Sequence, residues 1–133
     1  MIGAGKSTLA TSLGRHLNLP VYYEPVQDNE YLADFYTDTA KYAFSMQIYL
    51  LNRRFQQHQE IIWKGRSAVQ DRTIYEDAEI FCTNLHHSRR ISKRDYQLYM
   101  ELYNTMRRAL QPPDLLIYLR CPVRTIRRRI RDR

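Results

Sequence analysis

Apolar residues along this chain fall into short runs and helical stripes that alternate with polar breaks. Leu9, Ala10, Leu13 and Leu17 share one face of a helix, which predicts a first helix through residue 17. Leu19-Pro20 reads as a turn, and Val21-Tyr22-Tyr23 as a short strand ending at Glu24-Pro25, because a proline disfavours helix for the residue before it. The polar stretch 27–39 predicts a short helix. Phe44, Ile48, Leu51, Phe55 and Ile62 then keep mostly helical spacing over a long helix from about 41 to 64, which Gly65 stops. Ala68-Val69-Gln70 predicts a second brief strand ending at Asp71-Arg72, followed by a helix from Tyr75 towards Leu85. Ser92 is placed to cap a helix running to Leu110, and Pro112-Pro113 breaks the chain. Leu115 to Leu119 is a continuous apolar run, the pattern of a strand covered on both faces. Pro122 opens a last helix. Strands alternating with helices predict an α/β fold with a parallel sheet, and such sheets bind ligands at the carboxyl ends of their strands. Glu24, Asp71 and Arg72 all stand there.

Composition narrows the picture little. At 133 residues the chain predicts a single domain, small for a complete nucleotide-processing enzyme. Cys82 and Cys121 are too few and too far apart for a disulfide framework or a zinc site, which points to reduced thiols and a cytoplasmic protein. No apolar run reaches membrane-spanning length and no secretory leader is recognisable, so no membrane partner is expected. The net charge of +7 changes the picture more, because it is local. Residues 120–133 hold seven arginines against Asp132, and the rest of the chain is almost neutral. An evenly basic chain would suggest nucleic acid, whereas one dense cluster suits a lid that closes on phosphates.

The chemistry begins at the first residues. Gly3-Ala4-Gly5-Lys6-Ser7-Thr8 reads as the second half of a phosphate-binding loop, G-x-x-x-x-G-K-[ST]. There backbone N–H groups converge on phosphate oxygens, Lys6 reaches the terminal phosphates, and the Ser7 hydroxyl holds Mg²⁺. The helix that follows adds its positive dipole end. A glycine turn that only caps a helix would show the same four letters G-K-S-T. The motif's first glycine would fall one residue before Met1, so the chain reads as a fragment that starts inside its own signature, without the strand that precedes such loops.

Taken together, the loop, Glu24-Pro25-Val26, the helix carrying Gln47, Asp71-Arg72-Thr73 and the terminal arginine segment resemble the deoxyribonucleoside kinases, in their bacterial deoxyadenosine/deoxyguanosine kinase branch. The ordered motifs cover essentially the whole chain. The resemblance implies a P-loop three-layer fold, a parallel sheet flanked by helices with its first strand missing. It also implies ATP and Mg²⁺ as cofactors and transfer of the γ-phosphoryl group to a nucleoside 5′-hydroxyl. Glu24 would be the general base. Arg72 would steady the transferring group, and Asp71 would share Mg²⁺ with Ser7. Gln47 would pair with the base edge, Tyr36 would bind the sugar 3′-hydroxyl and Phe81 would stack on the base. Arg129 and Arg133 would grip the donor phosphates from a lid that continues past Arg133. A homodimer is implied as well, through the long middle helices.

Arg54 and Asp77 match a pair found in relatives that accept deoxyadenosine, deoxyguanosine or deoxycytidine, and absent from thymidine-preferring ones. The expected substrate is therefore a purine deoxynucleoside, with deoxycytidine at the side. Three positions depart from the family pattern. Thr73 stands in place of serine, Met46 where relatives often carry phenylalanine, and Asn29 where several carry tryptophan. Two other readings remain open: a monophosphate kinase of thymidylate kinase type, although glycines normally follow its E-P, and a non-catalytic basic nucleic-acid-binding fragment.

Overall fold

The computed structural model describes residues 3–24 and 29–132, and these separate into two compact units. Of these, one takes residues 3–23, 67–71 and 112–132; the other takes 24, 29–66 and 72–111. Both are built from the elements that the apolar pattern predicts, with two exceptions.

In the first unit, helix α1 (Lys6–Leu17) follows the glycine loop. Its buried stripe is Ala10 and Gly14, while Leu17 is exposed, so the predicted leucine face is only partly used. The reason lies at Gly14. A Cβ there would fall 2.1 Å from Val21 Cγ2, so the helix lies against strand β1 (Val21–Tyr22) only because position 14 has no side chain. Strand β2 (Val69–Gln70) pairs with β1 in parallel, Val21 opposite Val69 and Tyr22 opposite Gln70. The ladder is extended by Val69 N donating to Pro20 O and Asp71 N donating to Tyr22 O, at 2.9 and 2.8 Å. Helix α7 (Val123–Arg131) carries Arg124, Arg127, Arg128, Arg129 and Arg131 on exposed faces and buries Ile126.

The first exception lies here. Residues 115–119 form no strand, and Leu115, Leu116 and Tyr118 are 75%, 73% and 83% exposed. A strand exists through a neighbour's ladder of hydrogen bonds. Among the described residues the sheet has only β1 and β2, and neither pairs with this run. Its apolar pattern records a tendency to be covered, not a pairing.

The second unit is helical. Helix α2 (Leu32–Thr37) leads through Asp38, whose side chain caps the next helix by accepting from Lys41 N, into the 25-residue α3 (Thr39–Trp63). Gly65, at φ 57°, ends it as expected. The second exception follows. The single helix predicted from 75 to 85 is α4 (Ile74–Glu76), a π-helical segment (Asp77–Cys82) and α5 (Thr83–His87) in succession. Ser92 caps α6 (Lys93–Arg108) by accepting from Asp95 N. The core joins Ala43 and Leu51 of α3 to Ile74, Ala78, Cys82, Ile91, Tyr99, Tyr103 and Leu110. Fully burying a side chain such as Leu51 contributes about 1.5–3 kcal/mol. No helix among the described residues is long and apolar enough to cross a membrane.

Candidate active site

The first unit carries the glycine loop in which the sequence predicts anion binding. Gly3 and Gly5 hold φ of 77° and 95°, the left-handed region where a side chain is strained, so the loop's bend requires glycine at both positions. Gly5 is the N-cap of α1, and the Lys6, Ser7 and Thr8 amides belong to the helix's first turn, where no intrahelical acceptor exists. Ser7 Oγ donates to Asp71 Oδ2 at 2.6 Å, joining the two residues expected to share a metal although they are 64 positions apart. Asp71 is buried, and its Oδ1 has no partner. A hydroxyl and a carboxylate with one open oxygen form a hard-oxygen donor set. Mg²⁺ needs only one or two such protein ligands when phosphates supply the rest. No group of three His, Cys, Asp or Glu that could hold a metal occurs among the described residues. Arg129 Nη1 lies at 3.2 Å from both Gly3 O and Ala4 O, fixing α7 to the phosphate loop. Arg133 falls outside the described residues.

The second unit carries a carboxylate held by two arginines. Glu24 Oε1 accepts from Arg54 Nη2 at 3.0 Å and from Arg72 Nη1 at 2.7 Å. Arg72, just past β2, has φ 69° in spite of its side chain, a strained backbone of the kind found where a residue must be aimed. Its guanidinium also lies over the Phe81 ring, 4.9 Å from the centroid. Arg54 is wholly buried and ion-pairs through Nε with Asp77, which is buried too. Burial pushes the Asp77 carboxyl up to about 6, against the pull of Arg54. Burial likewise pushes the Cys82 thiol up to about 12 and raises the Tyr99 phenol.

Five of the expected substrate residues, Glu24, Arg54, Arg72, Asp77 and Phe81, thus form one connected network. Gln47 is buried in α3, seven residues and so two turns before Arg54. Gln47 Oε1, Arg54 Nη1 and Asp77 Oδ1 are buried and have no hydrogen-bond partner. Buried polar atoms are rarely left unpaired, and each costs about 1–3 kcal/mol when they are. Tyr36 stands apart, 71% exposed on α2 with its ring edge-on to Phe35. The Pro25-Val26 part of the strand-end motif lies outside the described residues. The two other departures from the family pattern meet one another: Asn29 Nδ2 donates to Met46 Sδ at 3.2 Å.

Thr73 is explained by local structure. It is the N-cap of α4, accepting from Tyr75 N, while the Glu76 carboxylate accepts from Thr73 N and from its hydroxyl. Threonine caps nearly as well as serine, so the departure keeps this role. The T-x-x-E spacing of this capping box was readable in the sequence at 73–76. Nothing in Asp77-Ala-Glu-Ile-Phe-Cys82 distinguishes a π turn from an α turn.

Comparison with known proteins gives these residues a context. The deoxynucleoside kinase family matches over residues 1–133. A deoxyadenosine kinase of Dictyostelium discoideum is 55% identical over 119 residues, covering 90% of this chain and 48% of the relative. A deoxyadenosine/deoxycytidine kinase of Bacillus subtilis is 39% identical over 136 residues, covering 99% of this chain and 62% of the relative. The chain thus spans about half to three fifths of the length of these curated relatives. The structure of a deoxyadenosine kinase from M. mycoides with bound dATP superposes with a TM-score of 0.84 at 32% identity, covering 100% of this chain and 68% of that one. The chain belongs to the deoxynucleoside kinase family and has its P-loop α/β fold.

Proposed function

We propose that this member of the deoxynucleoside kinase family moves the γ-phosphoryl group of ATP onto the 5′-hydroxyl of a purine deoxynucleoside. The observation that carries the substrate class is the set of unpaired buried atoms. Gln47 Oε1 and Asp77 Oδ1 are acceptors and Arg54 Nη1 is a donor, all on a unit that also holds a stacking candidate, Phe81. A purine edge with an amine and ring nitrogens offers the complementary donors and acceptors, whereas the thymine methyl would leave buried groups unpaired. Deoxycytidine offers an amine beside a ring acceptor and would be a side substrate.

In this reading Glu24 accepts the proton of the 5′-hydroxyl as it attacks, and Arg72 faces the charge that develops on the transferring group. The glycine loop, Lys6 and the α1 N-terminus bind the ATP phosphates, and Arg129 holds the loop from α7. Tyr36 is the proposed partner of the sugar 3′-hydroxyl, and Arg133 a further grip on the donor phosphates. Ser7 and Asp71 would hold Mg²⁺, which would supply charge neutralisation to the donor phosphates. Most of the rate would come from positioning and electrostatics, as phosphoryl transfer requires.

A homodimer belongs to the same proposal, with Leu98 and Leu102, exposed one turn apart on α6, as apolar surface for a second copy. A monomeric mass by light scattering would remove that part. The reduced thiols Cys82 and Cys121 and the use of ATP fit the cytoplasm; reporter fusions would test this location.

The test is a product assay with ATP, Mg²⁺ and each deoxynucleoside or monophosphate in turn. Product from deoxyadenosine or deoxyguanosine is expected, and Glu24→Gln should lower kcat by about 10²–10⁴-fold. Product from monophosphates alone would overturn the acceptor assignment, and no product from any acceptor would overturn the kinase reading.

A further inference from the structure

The π-helical segment Asp77–Cys82 begins at the residue that pairs with Arg54 and contains the ring that carries Arg72. Both arginines donate to the same oxygen of Glu24. The segment therefore touches the carboxylate's two partners, one near each end, and its register decides where both stand. A π turn takes one residue more to close than an α turn, which re-aims the side chains that follow it by about 100°. Such turns are rare and occur mostly as single bulges inside α-helices, so something outside the segment must hold this one.

The structure supplies a holder on one side. The Thr83 amide donates to Ile80 O, while the Thr83 hydroxyl reaches back five residues and donates to Ala78 O at 2.9 Å. Ala78 is wholly buried, so water cannot reach this carbonyl in place of the hydroxyl. The same hydroxyl is bonded to Tyr96 OH at 3.0 Å, and the Tyr96 ring is stacked flat on His86, 4.4 Å between centroids and 3° between planes. One further turn along the same face of α6, Tyr99 is buried against the segment's core residues. At the end of this ridge Tyr103 OH donates to Glu79 Oε1 at 3.1 Å. Three tyrosines spaced i, i+3, i+7 thus lie along a turn that an α-helix would not make.

We propose that Thr83, locked by Tyr96 of α6, is a positioning residue that holds the Asp77–Cys82 segment in its π register, and so sets the Arg54–Glu24–Arg72 arrangement that receives the deoxynucleoside. The proposal rests on the kinase reading and assigns it two residues outside the binding set. Thr83 touches no substrate. It acts through Asp77 at the start of the segment and Phe81 near its end.

Steady-state kinetics on the full-length protein test it, varying deoxyadenosine and ATP separately in Thr83→Val, Thr83→Ser and Tyr96→Phe. Removing the hydroxyl in Thr83→Val is expected to raise the deoxyadenosine KM and lower kcat, each about tenfold, with the ATP KM unchanged. Thr83→Ser, which keeps the hydroxyl, should restore both constants. Tyr96→Phe leaves the Thr83–Ala78 bond in place and should move the same constants about threefold, so it serves even where the valine variant is unstable. Parental constants in Thr83→Val and Tyr96→Phe, a serine variant as impaired as valine, or KM values for both substrates rising together would each overturn the proposal. Absence of turnover in the parent protein would instead overturn the kinase reading on which it stands.

Discussion

The phosphate loop and the Glu24 cluster achieve order by opposite means. The loop is made of backbone: Gly3 and Gly5 take positive φ, and helix amides follow them directly in sequence. Few buried side chains are needed, and Ser7 and Thr8 are exposed on the helix. The Glu24 cluster is made of charge. Arg54 and Asp77 are buried to the last few per cent, and α3, the π segment and α6 must all be in place to keep them there. Local conformation builds the glycine loop cheaply, whereas a buried cluster of charges depends on a finished core. The two units should therefore fail differently.

The largest effect is expected from breaking the buried pair. Arg54→Met leaves Asp77 buried without its counter-charge and should cost about 3–5 kcal/mol in a urea titration. Arg54→Met with Asp77→Leu removes both charges and should regain most of that loss while abolishing selectivity among deoxynucleosides. A double variant as unstable as the single would show that packing around the pair, rather than its charge, holds this unit.

A smaller effect is expected in the other unit. Gly14→Ala drives a methyl into Val21, at 2.1 Å before any relaxation, and should cost about 1–3 kcal/mol. Better helix propensity offsets it by about 0.5–1 kcal/mol. Val21→Ala in the same chain should relieve the clash; if it does not, α1 is not seated against β1 as described.

The finest distinction between the units is their response to pH. Asp77, pushed up to about 6, holds a proton in the folded chain between about pH 4 and 6 that the unfolded chain has released. Its contribution to stability is therefore full below about pH 4 and lost as pH rises through about 6. Recognition runs the other way. An ionised carboxylate is the better acceptor for a base amine, so the deoxyadenosine KM should rise as pH falls below about 6, approaching tenfold per unit. The ATP KM, proposed to be set in the unit without Asp77, should show no matching inflection. An Asp77→Asn variant that keeps the inflection would assign it elsewhere.

Much of this was written in the chain itself. Gly3-Ala4-Gly5-Lys6-Ser7-Thr8 names its own conformation, because positive φ and helix amides are local properties that glycine and sequence order dictate. Ser92 announces a helix start for the same reason, as Gly65 announces an end. The spacing of Phe44, Ile48, Leu51 and Phe55 determined α3, since a 3.6-residue period needs no partner to be recognised. What only tertiary structure decided is pairing. Leu115 to Leu119 reads as a central strand but has no ladder among the described residues. Asp77 to Cys82 reads as α-helix, yet forms a π turn where Thr83 and the α6 tyrosines hold it. That Arg54 and Arg72 meet on one oxygen of Glu24 was also invisible, because the three lie 30 and 48 residues apart and only packing brings them together.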